Sequence, residues 1–258
     1  MLYVLDPNPA GIPAVLLLHG LGADGTSWTL QMPPLIEAGF RPLVPDAPGF
    51  GQSPYDGRGW SVRRIAAEMA GLLEERASGP ADVVGLSMGG VIAQQLALDF
   101  PHLVRHLVLV STFAVLRPET PAGWIYFFRR LVLVATLGLP AQARFVADHI
   151  FPGTQNGPLR ELLVASITRT DPRAYRAAMR SLGVFNSLRR LPALRAPTLV
   201  VTGDRDTTIS PGRQKVLAGR IPGARQVTIE DAGHAVAIDQ PELFNRVLLN
   251  FLCEDLPI

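Results

Sequence analysis

Six short runs, at residues 14–18, 41–44, 82–84, 107–110, 198–201 and 226–229, are rich in leucine or β-branched residues. They read as buried parallel strands. Helical patterns separate most of them: 61–75 with Ser61 as its cap, 91–100 ending before Pro101, then 211–220 and 242–252. Strands alternating with helices predict an α/β fold, a doubly wound and mostly parallel sheet with helices on both faces. The rhythm breaks once. Between residues 112 and 191 no strand pattern is found and the residues suggest helices, with Pro121 at a first helical position. An interruption of that length is too long for a linker, so two units are expected: a core made of 1–111 and 192–258, and an inserted helical cap or lid over 112–191.

Composition narrows the classes that this pattern leaves open. The chain has 258 residues, 48% hydrophobic and 18% charged, enough to bury a substantial core and unlike a disordered chain. Its formal charge is only +2, and of 24 basic residues only Lys215 is a lysine. The arginines are scattered, so no nucleic-acid partner is expected. Cys253 has no second cysteine to pair with and no neighbours suited to a metal site. Asp6 and two prolines stand where a secretory leader needs a basic start and an apolar run, which points to a cytoplasmic protein. The strongest apolar stretch, 124–140, carries Arg129 and Arg130, so a buried or pocket-lining helix is expected and not a membrane span.

The chemistry centres on Gly85-Leu86-Ser87-Met88-Gly89. An apolar run leads in and a helical pattern leads out, so Ser87 falls on a sharp strand-to-helix turn that holds its hydroxyl out for attack. Glycines belong there because a strained turn brings backbone against backbone. A serine hydroxyl needs a base, and the base needs a carboxylate to fix its tautomer. Of five histidines, His102, His106 and His149 read as surface or core residues, and His19 closes the first long strand. His234, just beyond the last strand, lies at the carboxyl edge of the sheet, where Ser87 also emerges. Asp204 and Asp206 follow the strand at 198–201 on the same edge.

Together these motifs resemble the α/β-hydrolase fold family, and the resemblance runs from Val15 to Phe251. It implies a triad in the chain order Ser87, Asp206, His234. Asp206 is preferred to Asp204 because it stands three residues after Gly203 with Pro211 beyond, as the family's acid does; Asp231 and Asp239 then become loop and cap residues. His19-Gly20-Leu21-Gly22 is similar to the family's oxyanion loop, which assigns the backbone N–H groups of Leu21 and Met88 to the oxyanion hole and a structural part to His19. The loop from Pro45 to Ser53 is similar to another family motif, with Asp46 and its glycines setting a turn beside the site.

A serine nucleophile implies cleavage of carboxylic esters through an acyl-enzyme, with no cofactor and no metal, and disfavours the aspartate-dependent opening of epoxides or removal of halide. Within the serine branch the motifs look most like small carboxylesterases, enol-lactonases and cofactor-free perhydrolases. A carboxylesterase for short to medium acyl esters is the first expectation and an enol-lactone hydrolase the alternative. A carbon–carbon bond hydrolase or a ligand-sensing receptor that keeps the triad stand behind them. The partner is a small ester or lactone, and the chain is expected to be a monomer or small homo-oligomer. Trp28 near the oxyanion loop, with Trp124, Phe127, Phe128, Leu131 and Leu133 of the cap, form the expected apolar roof. Arg129 or Arg130 is suited to a substrate carboxylate, although solvated surface is the plainer expectation for both.

Overall fold

The computed structural model describes residues 2–117 and 120–254. Seven strands form a single sheet: β1 (Val4–Leu5), β2 (Ala14–Leu18), β3 (Arg41–Pro45), β4 (Ala81–Leu86), β5 (Val104–Val110), β6 (Thr198–Gly203) and β7 (Arg225–Ile229). Their spatial order is β1-β3-β2-β4-β5-β6-β7. All neighbours are parallel except β1, which pairs antiparallel with β3 through Val4 opposite Pro45 and Leu5 opposite Val44. Two residues leave no period to read, which is why β1 is not legible in the sequence. The helices are α1 (Met32–Glu37), α2 (Val62–Arg76), α3 (Met88–Asp99), α4 (Pro121–Thr136), α5 (Gly138–Ile150), α6 (Gly157–Arg169), α7 (Pro172–Val184), α8 (Pro211–Arg220), α9 (Val236–Asp239) and α10 (Pro241–Leu252).

The central strands are buried on both faces, and successive residues of β2 show how. Leu16 and Leu18 join a cluster with Ile65 and Met69 of α2 and with Val91 and Leu96 of α3. Val15 and Leu17 point the other way, into a cluster with Leu35 of α1 and Phe244 and Leu248 of α10. A strand walled on both sides needs apolar residues at every position, the pattern seen in the sequence. Helix starts follow local chemistry: the Ser61 hydroxyl accepts from the Arg64 N–H (3.2 Å) at the start of α2, and the Asp171 carboxylate accepts from the Arg173 N–H (2.7 Å) at the start of α7. Between β5 and β6 no strand lies among the described residues, only an isolated bridge between Val115 and Asn186 and the helices α4 to α7, which face the carboxyl ends of the central strands across a cavity. No helix among the described residues is long and apolar enough to cross a membrane.

Candidate active site

The chain passes from β2 to β3 on one side of the sheet and then returns to place β4 on the other. β2 and β4 are therefore neighbours whose outgoing loops diverge, with Leu18 opposite Gly85 in the register. Such a switch point leaves a crevice at the carboxyl ends of the strands. Gly20 and Leu21 leave β2 there, and Ser87 leaves β4. Ser87 has φ 53° and ψ −110°, a region that a residue with a side chain seldom adopts. Its surroundings hold it. The Ser87 N–H donates to the Val110 carbonyl (2.9 Å), and the Ser87 carbonyl accepts from the Thr112 hydroxyl (2.7 Å) and the Val91 N–H (3.1 Å). The flanking glycines answer to space: a Cβ on Gly85 would stand 2.3 Å from the Gly89 carbonyl oxygen, and one on Gly89 2.1 Å from that of Leu18.

His234 lies beyond β7 and its ring meets Asp206, not Asp204. Its Nδ1 is 3.0 Å and 3.2 Å from the two carboxylate oxygens. Since a carboxylate accepts, Nδ1 carries the proton, which in the neutral ring leaves the lone pair on Nε2. Asp206 is buried, and among the described residues no arginine or lysine pairs with it. Instead, it accepts from the N–H groups of Thr208 and Ile209 (both 2.9 Å) and from Gln214 Nε2 (3.2 Å). Oriented amides thus hold the anion in place of a counter-charge. Asp204 caps the Ala232 N–H (3.2 Å), Asp231 pairs with Arg205 at the surface, and Asp239 accepts from the Gly233 N–H (2.8 Å) beside His234. Burial pushes the Asp239 carboxyl above its ordinary range.

His19 anchors the first loop. Its Nδ1–H donates to the Gly20 carbonyl (2.8 Å) and its Nε2 accepts from the Ala47 N–H (3.0 Å), which requires a neutral ring. Burial lowers its pKa, and that keeps it neutral. Asp46 ties the same region from the other side, accepting from the N–H groups of Gly25 and Gln52 (both 2.7 Å). The N–H groups of Leu21 and of Met88, the first residue of α3, donate to no acceptor among the described residues. No group of three or more metal-ligating side chains is found among the described residues either.

Above Ser87 lies a cavity of about 680 Å³, lined on the sheet side by Gly20, Leu21, Ser87 and His234 and on the other by α4 to α7. Of the expected roof residues only Phe127 lines it. Trp28 is a correction: its neighbours Ser27 and Thr29 face the cavity, but the turn Gly25–Trp28 carries the indole to the opposite sheet face, against Phe244. Trp124, Phe128 and Leu131 are corrections of another kind. They form the outward face of α4, 57%, 65% and 40% exposed, and Leu133 does not reach the cavity either. The face turned inward carries Gly123, Tyr126, Phe127 and Arg130. Arg129 is exposed and lies over the Phe145 ring, while Arg130 is half-buried at the cavity wall and not on a solvated surface. The sequence held no sign of His149, which lines the cavity stacked on Tyr126 at 4.1 Å and within 3.3 Å of the Thr207 hydroxyl. Burial lowers its pKa, and the nearby His234 and Arg130 lower it further.

A parallel sheet with this strand order, a strained serine on the turn between strand and helix, and a histidine–carboxylate pair on the neighbouring loops define the architecture of a hydrolase. The chain matches the model of the alpha/beta hydrolase family over residues 15–247 and belongs to that family. It is 29% identical over 251 residues to a putative carbamate hydrolase, RutD, of Variovorax paradoxus, covering 95% of this chain and 93% of that one. Its structure is similar to that of a thermophilic esterase from Thermogutta terrifontis, with a TM-score of 0.82, 30% identity and coverage of 97% and 92%. It is likewise similar to the enol-lactonase from Burkholderia xenovorans, with a TM-score of 0.88, 25% identity and coverage of 98% and 96%.

Proposed function

We propose that this hydrolase cleaves carboxylic esters of short to medium acyl groups through an acyl-enzyme, with Ser87 as nucleophile, His234 as base and Asp206 as its orienting acid. The observation that carries the reading is that Ser87 and His234, the latter held by Asp206, open on one largely apolar cavity at the switch point of the sheet. In the proposed reaction Ser87 Oγ attacks the ester carbonyl carbon as His234 Nε2 takes its proton. The oxygen that becomes negative is received by the N–H groups of Leu21 and Met88, which have no acceptor to give up among the described residues. The tetrahedral adduct collapses when His234 returns the proton to the departing alcohol. Water, activated by the same ring, then releases the acid and regenerates Ser87. Asp206 stays ionised throughout; it holds the Nδ1 proton and stabilises the transient imidazolium. Residues 112–191 act as the lid that shapes the substrate and excludes bulk water.

The names of the relatives span carbamate, ester and lactone, all acyl carbonyls with a heteroatom leaving group, so the shared step is attack on such a carbonyl. Turnover of a p-nitrophenyl acetate and butyrate series tests the reading. Multiple turnovers by the wild type and none by Ser87→Ala are expected. A single burst without turnover favours a receptor, and an active Ser87→Ala protein removes Ser87 from the mechanism.

A further inference from the structure

Helix α4 is amphipathic in the wrong sense for a helix that covers a cavity. Its large apolar side chains Trp124, Ile125, Phe128 and Leu131 face outward, and the face turned to the cavity carries a phenol and a guanidinium, Tyr126 and Arg130. Placing a cation against an apolar cavity is costly unless something compensates it. Arg130 has no aspartate or glutamate within ion-pair distance among the described residues. Its protein partners are neutral: Nη2 donates to the Tyr175 hydroxyl (3.2 Å), and Nε donates to the Gln142 side-chain oxygen (2.9 Å) when that amide is turned to satisfy both its ends. A guanidinium has five N–H donors, so after these contacts and its approach to Tyr126 donors remain for something in the cavity. The Tyr126 hydroxyl beside it is buried and, apart from the Arg130 guanidinium that it faces, has no hydrogen-bond partner among the described residues. The other two arginines at the cavity wall are engaged elsewhere: Arg169 faces Asp24 (3.6 Å) and Arg213 donates to the Val115 carbonyl (3.3 Å).

We infer that Arg130 and the Tyr126 hydroxyl form an anion subsite in the roof of the cavity, and that the substrate is an ester or lactone carrying a second, free carboxylate. The inference rests on the ester-hydrolase reading of Ser87 and narrows it. A single cationic charge matches a single carboxylate, whereas a phosphate dianion would leave an uncompensated charge in the same apolar surroundings. The carboxylate accepts from the N–H groups that Arg130 has left over and from the Tyr126 hydroxyl, satisfying an otherwise orphaned donor. The scissile carbonyl of the same molecule then points to Ser87 across the cavity.

The test compares half-esters with neutral esters of equal length: monomethyl succinate, glutarate and adipate against methyl butanoate, pentanoate and hexanoate, with kcat/KM followed by acid release. At the length that spans the cavity, the ratio of half-ester to neutral ester is expected to fall about 10- to 100-fold in Arg130→Gln and by less in Arg130→Lys, which keeps the charge. An unchanged ratio overturns the inference, and because it is internal to each protein a loss of folded enzyme does not mimic the effect. Should Arg130→Gln not fold, the wild type decides: glutarate must inhibit more strongly than glutaramide, and equal inhibition overturns the subsite. If the wild type turns over no ester at all, the hydrolase reading fails separately. Calorimetric binding of monomethyl glutarate to Ser87→Ala, with and without Arg130→Gln, still decides whether the anion site exists.

Discussion

Substituting Gly89 by alanine puts one methyl group where the sheet and the nucleophile turn meet. The added Cβ would lie 2.1 Å from the Leu18 carbonyl oxygen, 2.5 Å from its carbon and 2.9 Å from the His19 oxygen, all backbone atoms. To reach even the 3.0 Å below which real Cβ atoms essentially never approach, the end of β2 and the start of α3 must separate by roughly 1 Å. The strain costs about 1–3 kcal/mol, or a fall in Tm of about 2–12 °C for a chain of this size. The catalytic cost is larger, because the displaced segments carry the proposed oxyanion donors, Leu21 two residues after His19 and Met88 directly before Gly89. A misplacement of about 1 Å in such groups costs about 100-fold in rate. The assay is kcat/KM on p-nitrophenyl butyrate beside a thermal melt, with Gly71→Ala as control. A Cβ on Gly71, midway along α2, meets nothing within 4 Å, so alanine there is expected to add about 0.5–1 kcal/mol of stability and leave kcat/KM alone. A Gly89→Ala enzyme with wild-type kcat/KM and Tm would refute the claim that backbone proximity is why position 89 is glycine.

Two further outcomes concern buried charges away from the reacting atoms. Asp82 is fully buried at the start of β4, the end opposite Ser87, and receives Arg105 Nε (2.8 Å) and His106 Nδ1 (2.9 Å) from β5. Asp82→Ala leaves both without that carboxylate and is expected to cost about 3 kcal/mol in a urea titration, the low end for a broken buried pair since Arg105 keeps some exposure; an unchanged midpoint refutes it. His19 and His149 both have pKa values lowered by burial in the folded state. Such groups bind fewer protons folded than unfolded, so stability holds above the unfolded value near 6.5 and falls as the pH drops below it. Thermal melts are expected to lose Tm on going from neutral to mildly acidic pH, with a shallower slope in His149→Gln; equal slopes would show that His149 titrates alike in both states.

What could be read from the chain and what could not divide along physical lines. The strands of the central sheet are walled on both faces, so an unbroken apolar run identifies β2 over its whole length. The run at 107–110 fell short because β5 begins at Val104 and takes in Arg105 and His106, which the interior accepts through their pairing with the buried Asp82 of β4. That compensation is a pairwise fact with no local signature. The strand-to-helix turn at Ser87 was legible because it needs glycines for steric reasons written into neighbouring positions.

The sequence by itself determined the run of strands β2 to β7, several of the helices between them, the turn that carries Ser87 and the placement of aspartates and a histidine at strand ends, because each depends on residues within a few positions of one another. Tertiary structure decided which way side chains face once both options are locally equal. Trp28 sits in a segment whose neighbours line the cavity, yet its indole turns to the opposite sheet face. In α4, residues 124, 128 and 131 share one face and 123, 126, 127 and 130 another, and periodicity alone cannot say which is inside. Hydrophobicity suggested the aromatic stripe, and packing against α5 and α7 turned Tyr126 and Arg130 inward instead, next to Phe145, Gln142 and Tyr175. The phase of one helix, set by contacts between residues far apart in the chain, therefore decides whether the cavity meets its substrate with aromatic rings or with a guanidinium.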